Sequence, residues 1–565
     1  MNVLIIGGVA CGPKAAARIH RLQPDTRITL IEKGELLSYA GCGIPYYISG
    51  QIRDIKELMK TNAGILRDSH YFQNFKGVTV RNLTVATRID PQRKEVEIFD
   101  IGTMDRERLS YDKLVIATGG QPIQPDIPGR DLKGVYTLHN LTNAKKLREQ
   151  MQQGAKRAVI IGGGAIGIEI AEAFTHNDLE THLVEAKDQV MAKALDREMC
   201  AMVTEYLNID EVNLHLNSRV VGFEGDEEGH LRRVLLEEGS IEAEIAIIAI
   251  GTRPNAQLAA EAGLAIGASG AIQVNEHLQT SDPDIYAGGD CVENLHRITG
   301  KPVYIPMGDT ANKHGRVIAN HLCGYAQGSR FPGVLGTGIY KYGDLSIGHS
   351  GLTERQARAD GYACDAILYP GLDKPEFCAT ARRIDMKLIF EQSSRRLLGV
   401  QLVGEGDVSK RLDVLATAMS LDATLDQLSN LDLGYAPPYS PALDNVISAA
   451  NISLNKLDGI SHAVSPVQLW KSIQAGEDLL VVDVRTQREF AAERMDLPQL
   501  RSIPLSRLLG ALESIPRDKP VITLCKVGLR GYEACQLLRG KGFANAFYLE
   551  GGLAMWSHPK TREPL

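Results

Sequence analysis

Short apolar runs that lead into glycine-rich turns recur along the chain. Residues 3–6 and 159–161 form two such runs, and residues 15–22 after the first turn have the spacing of an amphipathic helix. A third repeat of the pattern begins near Leu479. Short apolar runs followed by glycine turns and helices are typical of buried parallel strands. The pattern therefore predicts an α/β chain with mostly parallel sheets, and the runs are too short to cross a bilayer.

The region from about residue 331 to 450 has a different pattern. Alternating or continuous apolar segments at residues 339–341, 386–390 and 397–403 indicate strands, and residues 410–419 have helical spacing. Strands that precede a helix without the glycine turns favour a mixed α+β domain.

Composition narrows the class of protein. The 565 residues carry a net charge of −7 without a block of Lys or Arg, so we expect neither nucleic acid nor a membrane surface as a partner. The nine cysteines are scattered, odd in number and without a Cys-x-x-Cys pair. This spacing argues against a disulfide framework and a metal site, and it favours a reducing cytoplasm. The first residues enter a strand directly, which is not typical of a signal peptide.

The first glycine turn has the features of a dinucleotide-binding loop. Gly7 and Gly12 follow a strand and open a helix, and the next strand ends at Glu32, beside Lys33. Glycines allow the pyrophosphate to approach the helix N-terminus, and the acid accepts from a ribose hydroxyl. Val9 occupies the usual middle glycine position.

The second turn matches the same fingerprint more closely. Gly162, Gly164 and Gly167 follow a strand, Ile166 lies among them, and Glu185 ends the next strand. An acid at this position repels a 2′-phosphate, so the sequence favours NADH over NADPH.

Two further segments complete a known arrangement. One passes through Thr118 and Gly119, and the other runs Tyr-Ala-Gly-Gly-Asp and ends at Gly289 and Asp290. With the two fingerprints, they resemble the pyridine nucleotide–disulfide oxidoreductases. The resemblance implies that the first fingerprint and these two segments bind FAD. It implies that the second fingerprint binds NADH or NADPH, with Gly251 in the same site and Glu169 near the contact between nicotinamide and flavin.

The segment after the first unit contains a single cysteine, Cys42. It resembles the branch of the family that includes coenzyme A disulfide reductases, persulfide reductases, and NADH oxidases and peroxidases. There the cysteine passes through a mixed disulfide, a persulfide or a sulfenic acid, and reduced flavin restores it. A helix N-terminus that lowers its pKa would favour the reactive thiolate. The expected substrate contacts, by the same resemblance, are Arg18, Arg21, Ser38 and Tyr39; a solvated helix face is an equal alternative for the arginines.

A later segment resembles the loop that crosses the dimer in coenzyme A disulfide reductases. Tyr435 and Tyr439 lie in it and are candidate proton donors or thiolate stabilisers, with simple packing as the alternative. The tyrosines that the branch carries upstream are replaced by Phe377 and Cys378, which shifts the expected substrate from coenzyme A disulfide toward persulfide. The roles of Cys378 and Cys11 stay open.

The C-terminal region resembles a rhodanese domain. An apolar strand leads into Cys525, a six-residue loop ends at Arg530, and a helix follows. A cysteine at the start of such a loop faces backbone N–H groups and a helix dipole, which stabilise a thiolate or a persulfide anion.

The predicted fold is α/β, with two Rossmann-like dinucleotide-binding domains, an α+β dimerisation domain and a rhodanese-like α/β domain. The expected limits are 1–118 with 253–325 for FAD, 119–252 for NAD(P)H, 326–450 for dimerisation, 451–464 for a linker and 465–565 for rhodanese.

The predicted activity is reduction of persulfide, polysulfide, or coenzyme A persulfide or disulfide by NADH. Cys42 would be the redox cysteine, and the rhodanese domain would handle sulfane sulfur. We expect a cytoplasmic homodimer that acts on a small sulfur compound, with coenzyme A and a sulfur-donor protein as further partners. The alternatives are an NADH oxidase or peroxidase that uses a Cys42 sulfenic acid, and a flavin-bearing redox sensor that carries sulfur.

Overall fold

The computed structural model describes residues 1–562. These residues form two compact units, the first of Met1–Asp188 with Asp210–Val334 and the second of Gln189–Ile209 with the described residues from Leu335 onward. The sheets and helices confirm the predicted α/β class with a mixed domain between parallel sheets. Helix Arg197–Ile209 groups with the second unit, although the sequence places it inside the expected NAD(P)H domain.

The first unit begins with a five-stranded parallel sheet whose central strands are largely buried. Its strands, in spatial order, are Ile285–Ala287, Lys113–Ile116, Asn2–Ile6, Arg27–Ile31 and Val78–Arg81. The carboxyl end of the central strand opens into the first glycine turn, where a nucleotide binds in folds of this kind. The helices and 3-10 turns of this part are Cys11–Leu22, Gly41–Gly43, Ile44–Ile48, Ile55–Met59, Ser69–Lys76, Gln257–Glu261 and Gly308–Leu322.

The same architecture is repeated in the middle of this unit. The second parallel sheet has the order Asn213–His215, Glu180–Val184, Arg157–Ile161, Ile245–Ile248 and Val135–Thr137, with helices Leu141–Gln152 and Ala165–Thr175. Two antiparallel sheets accompany the parallel ones, Thr84–Asp90 with Glu95–Asp100 and Arg106–Ser110, and Val220–Gly225 with Leu231–Leu236 and Ser240–Glu242. Short pairs join Gly120–Pro122 to Thr252–Pro254 and Asn294–Leu295 to Pro302–Val303.

An antiparallel sheet forms the first part of the second unit. Its strands, in spatial order, are Gly338–Tyr342, Leu345–Gly351, Leu397–Gly404, Arg383–Glu391 and Cys364–Leu372. The helices packed with it are Arg197–Ile209, Glu354–Ala359, Val408–Ser420, Leu425–Leu428 and Asn445–Leu457.

A buried cation connects helix Arg197–Ile209 to this sheet. Lys387 is 2% exposed, and its Nζ lies 2.8 Å from Glu354, 3.2 Å from Asp196 and 3.3 Å from Glu198. Burial opposes ionisation of Glu354, but Lys387 brings the pKa of this carboxyl down to about 2. The charges therefore compensate one another inside the second unit.

A parallel sheet, the third in the chain, completes this unit. Its strands are Ala463–Val464, Ala546–Leu549, Val521–Leu524, Leu480–Asp483 and Leu500–Ser502, and a short pair joins Glu493–Met495 to Lys560–Arg562. The helices and 3-10 turns are Pro466–Gln474, Gln487–Ala492, Leu505–Ser514, Leu529–Gly540 and Gly552–Met555. Residues 451–464, expected to be a linker, hold the end of helix Asn445–Leu457 and the first strand of this sheet.

Among residues 1–562, no helix has both the length and the apolar character needed to cross a membrane.

Candidate active site

The first glycine turn is shaped by two positions that exclude a side chain. Gly7 has a φ of +113°, and a Cβ on it would lie 2.0 Å from the carbonyl oxygen of Ala117. A Cβ on Gly12 would lie 2.0 Å from the carbonyl oxygen of Gly7. Only glycine permits this turn and this close approach of helix to strand. Val9, at the middle position, is half-buried.

The second turn repeats this geometry and adds open space. Gly162 has a φ of +108°, and a Cβ on Gly167 would lie 2.0 Å from the carbonyl oxygen of Gly162. A Cβ on Gly164 would meet no atom within 4 Å, so this residue faces open space. Helix Ala165–Thr175 begins there without a side-chain cap or an acid in its first turn. Uncapped N–H groups beside open space fit a pyrophosphate.

The two predicted ribose acids occupy equivalent places. Glu32 Oε2 accepts from the N–H of Gly8 (2.7 Å), and Glu185 Oε2 accepts from the N–H of Gly163 (2.8 Å). Each carboxylate therefore lies directly against its glycine loop. Lys33, next to Glu32, is exposed.

Hydrogen bonds with neighbouring residues hold the segments at the carboxyl end of the first parallel sheet. The N–H of Gly289 donates to Nδ1 of His314 (3.0 Å), which is fully buried. Burial raises the pKa of Asp290, against the effect of a backbone N–H at Met307. Thr118 Oγ1 donates to the carbonyl oxygen of Asn255 (2.7 Å), and Gly119 and Gly251 have φ values of +67° and +115°.

Cys42 lies in the 3-10 turn Gly41–Gly43, directly before helix Ile44–Ile48. A Cβ on Gly308 would lie 3.9 Å from its Sγ, which places the sulfur beside the start of helix Gly308–Leu322. The residue is exposed, but surrounding protein atoms and the acids Glu169, Asp290 and Asp309 raise the thiol pKa. The expected lowering of the pKa by a helix N-terminus is therefore outweighed.

Glu169 lies in the region that is expected to bind the nicotinamide nucleotide, and its charge acts on Cys42. Burial, and then the neighbouring Glu172, raise the pKa of Glu169 to about 7. Burial and the same two acids also raise the pKa of Tyr46. The structure thus gathers Cys42, Glu169 and Asp290 from three separate segments of the chain. Ile166, on the same helix as Glu169, is 40% exposed.

Of the four expected substrate contacts, Ser38 and Tyr39 lie beside the first nucleotide loop, and Arg18 and Arg21 lie on helix Cys11–Leu22. The N–H of Ser38 donates to the carbonyl oxygen of Gly8 (2.8 Å), and burial followed by the charge of Glu32 raises the pKa of Tyr39 to about 12. Arg18 Nε donates to Asn320 Oδ1 (3.0 Å), whereas Arg21 is exposed. One nitrogen of the Arg18 guanidinium is therefore already used in a hydrogen bond within the protein.

The tyrosine loop of the second unit carries large exposed rings. Tyr435 is 56% exposed, Tyr439 is 69% exposed, and Phe377 is 80% exposed. The Sγ of Cys378 donates to the carbonyl oxygen of Pro437 (3.4 Å), which joins the Phe377 segment to the tyrosine loop. Cys378 therefore has a contact that holds this loop in place.

Cys525 lies at the start of the loop before helix Leu529–Gly540. Cys525 is 1% exposed, and its Sγ accepts from the N–H of Gly528 (3.1 Å). Gly528 has a φ of +110° and caps the helix without a side chain. An N–H group and an uncapped helix start therefore both face the sulfur of Cys525.

Arg530 is fixed by a partner that the sequence did not predict. Its guanidinium donates to both oxygens of Glu489, at 2.6 and 3.0 Å, and this bonding brings the pKa of Glu489 down to about 2. Glu489 also closes a capping box with Thr486. The Thr-x-x-Glu spacing was the available signal, but it indicates a helix start and not a partner for Arg530.

The chain matches family models over nearly all of its length. Residues 1–314 match the pyridine nucleotide-disulphide oxidoreductases, residues 338–447 match the dimerisation domain of that family, and residues 465–559 match the rhodanese-like domain. The chain belongs to the pyridine nucleotide-disulphide oxidoreductase family. It is therefore an oxidoreductase of a class that uses FAD and a nicotinamide nucleotide, which confirms the predicted enzyme class and cofactors.

Two solved structures match nearly the whole chain, and a further relative matches four-fifths of it. The structure of an NAD-dependent persulfide reductase from A. fulgidus is similar at 42% identity and a TM-score of 0.93, over 98% of this chain and 100% of that one. The reduced CoADR-RHD of Bacillus anthracis is similar at 33% identity and a TM-score of 0.91, over 98% of this chain and 97% of that one. The NAD(P)H coenzyme A polysulfide/persulfide reductase of Pyrococcus horikoshii is 35% identical over 80% of this chain and 98% of its own length.

Proposed function

We propose that this enzyme uses NADH to reduce persulfide sulfur at Cys42, and that Cys525 supplies that sulfur. The observation that carries the proposal is the gathering of Cys42, Glu169 and Asp290 in one unit of a chain that also holds a second cysteine in a rhodanese loop. Bound FAD would take hydride from NADH and pass two electrons to sulfur. The first glycine turn with Glu32 and Asp290 would hold FAD, and the second turn with Glu185 would hold NADH.

The sulfur step balances through Cys42. Its thiolate attacks the outer sulfur of R–S–SH, forms the Cys42–S–SH persulfide and releases R–S⁻. Two electrons then break the new S–S bond, so that HS⁻ leaves and the Cys42 thiolate is restored. R–S⁻ takes up the proton that the Cys42 thiol gave up for the attack, and the proton left from NADH oxidation returns the restored thiolate to a thiol. The sum is R–S–SH and NADH giving R–SH, HS⁻ and NAD⁺.

Glu169 is the group suited to move the proton of Cys42. The raised pKa of Cys42 means that its thiol keeps a proton at neutral pH, and a nearby base must remove it. With a pKa of about 7, Glu169 is partly ionised under these conditions. It would accept the Cys42 proton during attack and return it to R–S⁻.

The exposed tyrosine loop supports a homodimer. Tyr435 and Tyr439 would approach the partner's Cys42 region, and their exposed rings are the surface that such an assembly would cover. Coenzyme A, as thiol or persulfide, is the proposed small carrier, with Arg21 free to meet its phosphates. A sulfur-donor protein for Cys525 and a reducing, cytoplasmic setting stay predictions.

Anaerobic assays of the holoenzyme test the proposal. NADH consumption and sulfide release with a small persulfide should require Cys42, so Cys42→Ser should lose turnover while Cys323→Ser keeps it. Transfer of sulfur from thiosulfate to cyanide should instead require Cys525. Full persulfide turnover by Cys42→Ser would contradict the mechanism.

Two other outcomes would replace the proposal. Faster reduction of peroxide than of persulfide would identify an oxidase or peroxidase that uses a Cys42 sulfenic acid. Flavin reduction without steady NADH consumption would identify a redox-sensing sulfur carrier. Mass spectrometry of the intact protein before and after reduction would show whether coenzyme A is attached to Cys42.

A further inference from the structure

A short segment of the rhodanese-like domain, Glu550 to Met555, packs against the antiparallel sheet of the same unit. Glu550 is 2% exposed, and its carboxylate lies 2.9 Å from Nζ of Lys456. The same Nζ lies 3.1 Å from Asp365 and donates to the carbonyl oxygen of Ala366 (2.7 Å). A buried carboxylate of one domain is thus neutralised by a lysine on helix Asn445–Leu457, outside that domain.

A second cation holds the other end of the segment. Arg383 Nη2 donates to the carbonyl oxygen of Ala554 (2.8 Å). The guanidinium is itself oriented by two bonds of 2.7 Å to Asp385, which is 3% exposed. Between these ends, a Cβ on Gly551 would lie 3.6 Å from the Cβ of Leu368 in the sheet.

The opposite side of the segment supports the sulfur loop. The N–H of Leu553 donates to the carbonyl oxygen of Cys525 (2.9 Å), and the N–H of Ala554 donates to the carbonyl oxygen of Lys526 (2.8 Å). A Cβ on Gly552 would lie 2.4 Å from the carbonyl oxygen of Cys525. The backbone of Cys525 therefore rests directly on residues whose position Lys456 and Arg383 determine.

We propose that Lys456 and Arg383 are positioning residues for sulfur transfer at Cys525, and that they act through the segment from Glu550 to Met555. They touch neither the sulfur nor its substrate. They keep the loop in the conformation in which the N–H of Gly528 reaches the Cys525 sulfur. The proposal rests on the proposed role of Cys525 as the sulfur-carrying residue.

The charge balance gives the expected direction of the effect. Without Lys456, the buried carboxylate of Glu550 loses its main cationic partner, and the segment must move toward water or take up a proton. A displacement of about 1 Å at a reacting group lowers a rate by about a hundredfold. We therefore expect Lys456→Met to lower thiosulfate-to-cyanide sulfur transfer by at least about tenfold.

The test compares Lys456→Met with the matched control Lys519→Met, both as holoenzymes. Lys519 forms an exposed ion pair with Asp478 (2.6 Å) in the same domain and away from the segment. The assays are sulfur transfer with its kcat and KM, the pH profile of Cys525 alkylation, and NADH-driven reduction of a small persulfide. Lys456→Met should lower kcat for sulfur transfer and move the alkylation profile to higher pH. Lys519→Met should change neither, and the reduction at Cys42 should stay unchanged in both.

Two further variants separate positioning from general loss of folding. Glu550→Gln keeps the shape of the side chain and removes its charge, so adding it to Lys456→Met should restore much of the sulfur transfer. Arg383→Lys should be impaired, because lysine lacks the planar fork that reaches Asp385 and Ala554 together.

The outcomes are distinct for the two proposals. An unchanged kcat and alkylation profile in both Lys456→Met and Arg383→Lys would overturn the positioning role. Loss of transfer together with loss of flavin and persulfide reduction, without rescue by Glu550→Gln, would show a folding defect and overturn it too. Sulfur transfer that survives in Cys525→Ser would instead contradict the proposed role of Cys525.

Discussion

Glu169→Gln should remove a pH dependence from persulfide reduction without disturbing the fold. The side chain lies on helix Ala165–Thr175, and its charge raises the pKa of Cys42. Glutamine keeps the size of the side chain and cannot exchange a proton. The variant therefore isolates the proposed transfer of the Cys42 proton.

The size of the effect follows from the pKa of about 7. A carboxyl with this pKa is about one-tenth ionised at pH 6 and about nine-tenths ionised at pH 8. If the ionised form is the base, kcat/KM for persulfide should rise by about ninefold across this interval. Glu169→Gln should lack this rise and be slower at pH 7. It should approach the native enzyme at alkaline pH, because loss of the Glu169 charge also makes the Cys42 thiol easier to ionise.

Anaerobic initial rates of NADH oxidation between pH 5.5 and about 9 would measure the profile, with flavin content and thermal unfolding as controls. Glu172→Gln is the matched variant, because the Glu172 charge helps to raise the pKa of Glu169. Its profile should keep the rise but at lower pH. An inflection near pH 7 that persists unchanged in Glu169→Gln would refute the assignment of the base.

Three other changes test the sites and the core. Gly164→Ala should raise the KM for NADH by about tenfold with unchanged thermal stability, because a Cβ there meets only the open space proposed for pyrophosphate; an unchanged KM would place the nucleotide elsewhere. Glu185→Ala should raise kcat/KM for NADPH relative to NADH by about tenfold, measured with both nucleotides, because it removes the repulsion of a 2′-phosphate. Lys387→Met should lower the free energy of unfolding by about 3–5 kcal/mol, because it leaves three carboxylates without their buried cation. The exposed pair broken by Lys519→Met should cost about 1 kcal/mol or less, and similar losses in the two variants would contradict the role of burial.

Local backbone demands explain why so much of the fold could be predicted. Gly7 and Gly162 have a backbone conformation with positive φ, and Gly12 and Gly167 permit close contact between helix and strand. Each of these requirements depends on a few residues that are close together in the sequence. The strands before both turns are confirmed at Asn2–Ile6 and Arg157–Ile161. Their burial on both faces also explains their uninterrupted apolar character.

The electrostatics of Cys42 could not be predicted in the same way. The sequence suggests only that a helix N-terminus lowers the pKa of this thiol, whereas Glu169 and Asp290 act on the sulfur from distant segments. The sign of the pKa change depends on this tertiary arrangement and on desolvation. The pairing of Lys456 with Glu550 could not be predicted either, because the sequence indicates a linker where Lys456 lies.

The two cysteines that we propose to be reactive have different surroundings, and this contrast predicts a direction for sulfur transfer. Burial, and then the acids Glu169, Asp290 and Asp309, raise the pKa of Cys42 and so disfavour an anion there. Cys525 instead lies at the start of helix Leu529–Gly540, where the N–H of Gly528 donates to its sulfur (3.1 Å) and the Arg530 guanidinium lies nearby. A persulfide should therefore accumulate on Cys525 and be reduced at Cys42. With limiting thiosulfate and no NADH, peptide mass spectrometry should find the added sulfur on Cys525, and its accumulation on Cys42 would reverse the proposed order.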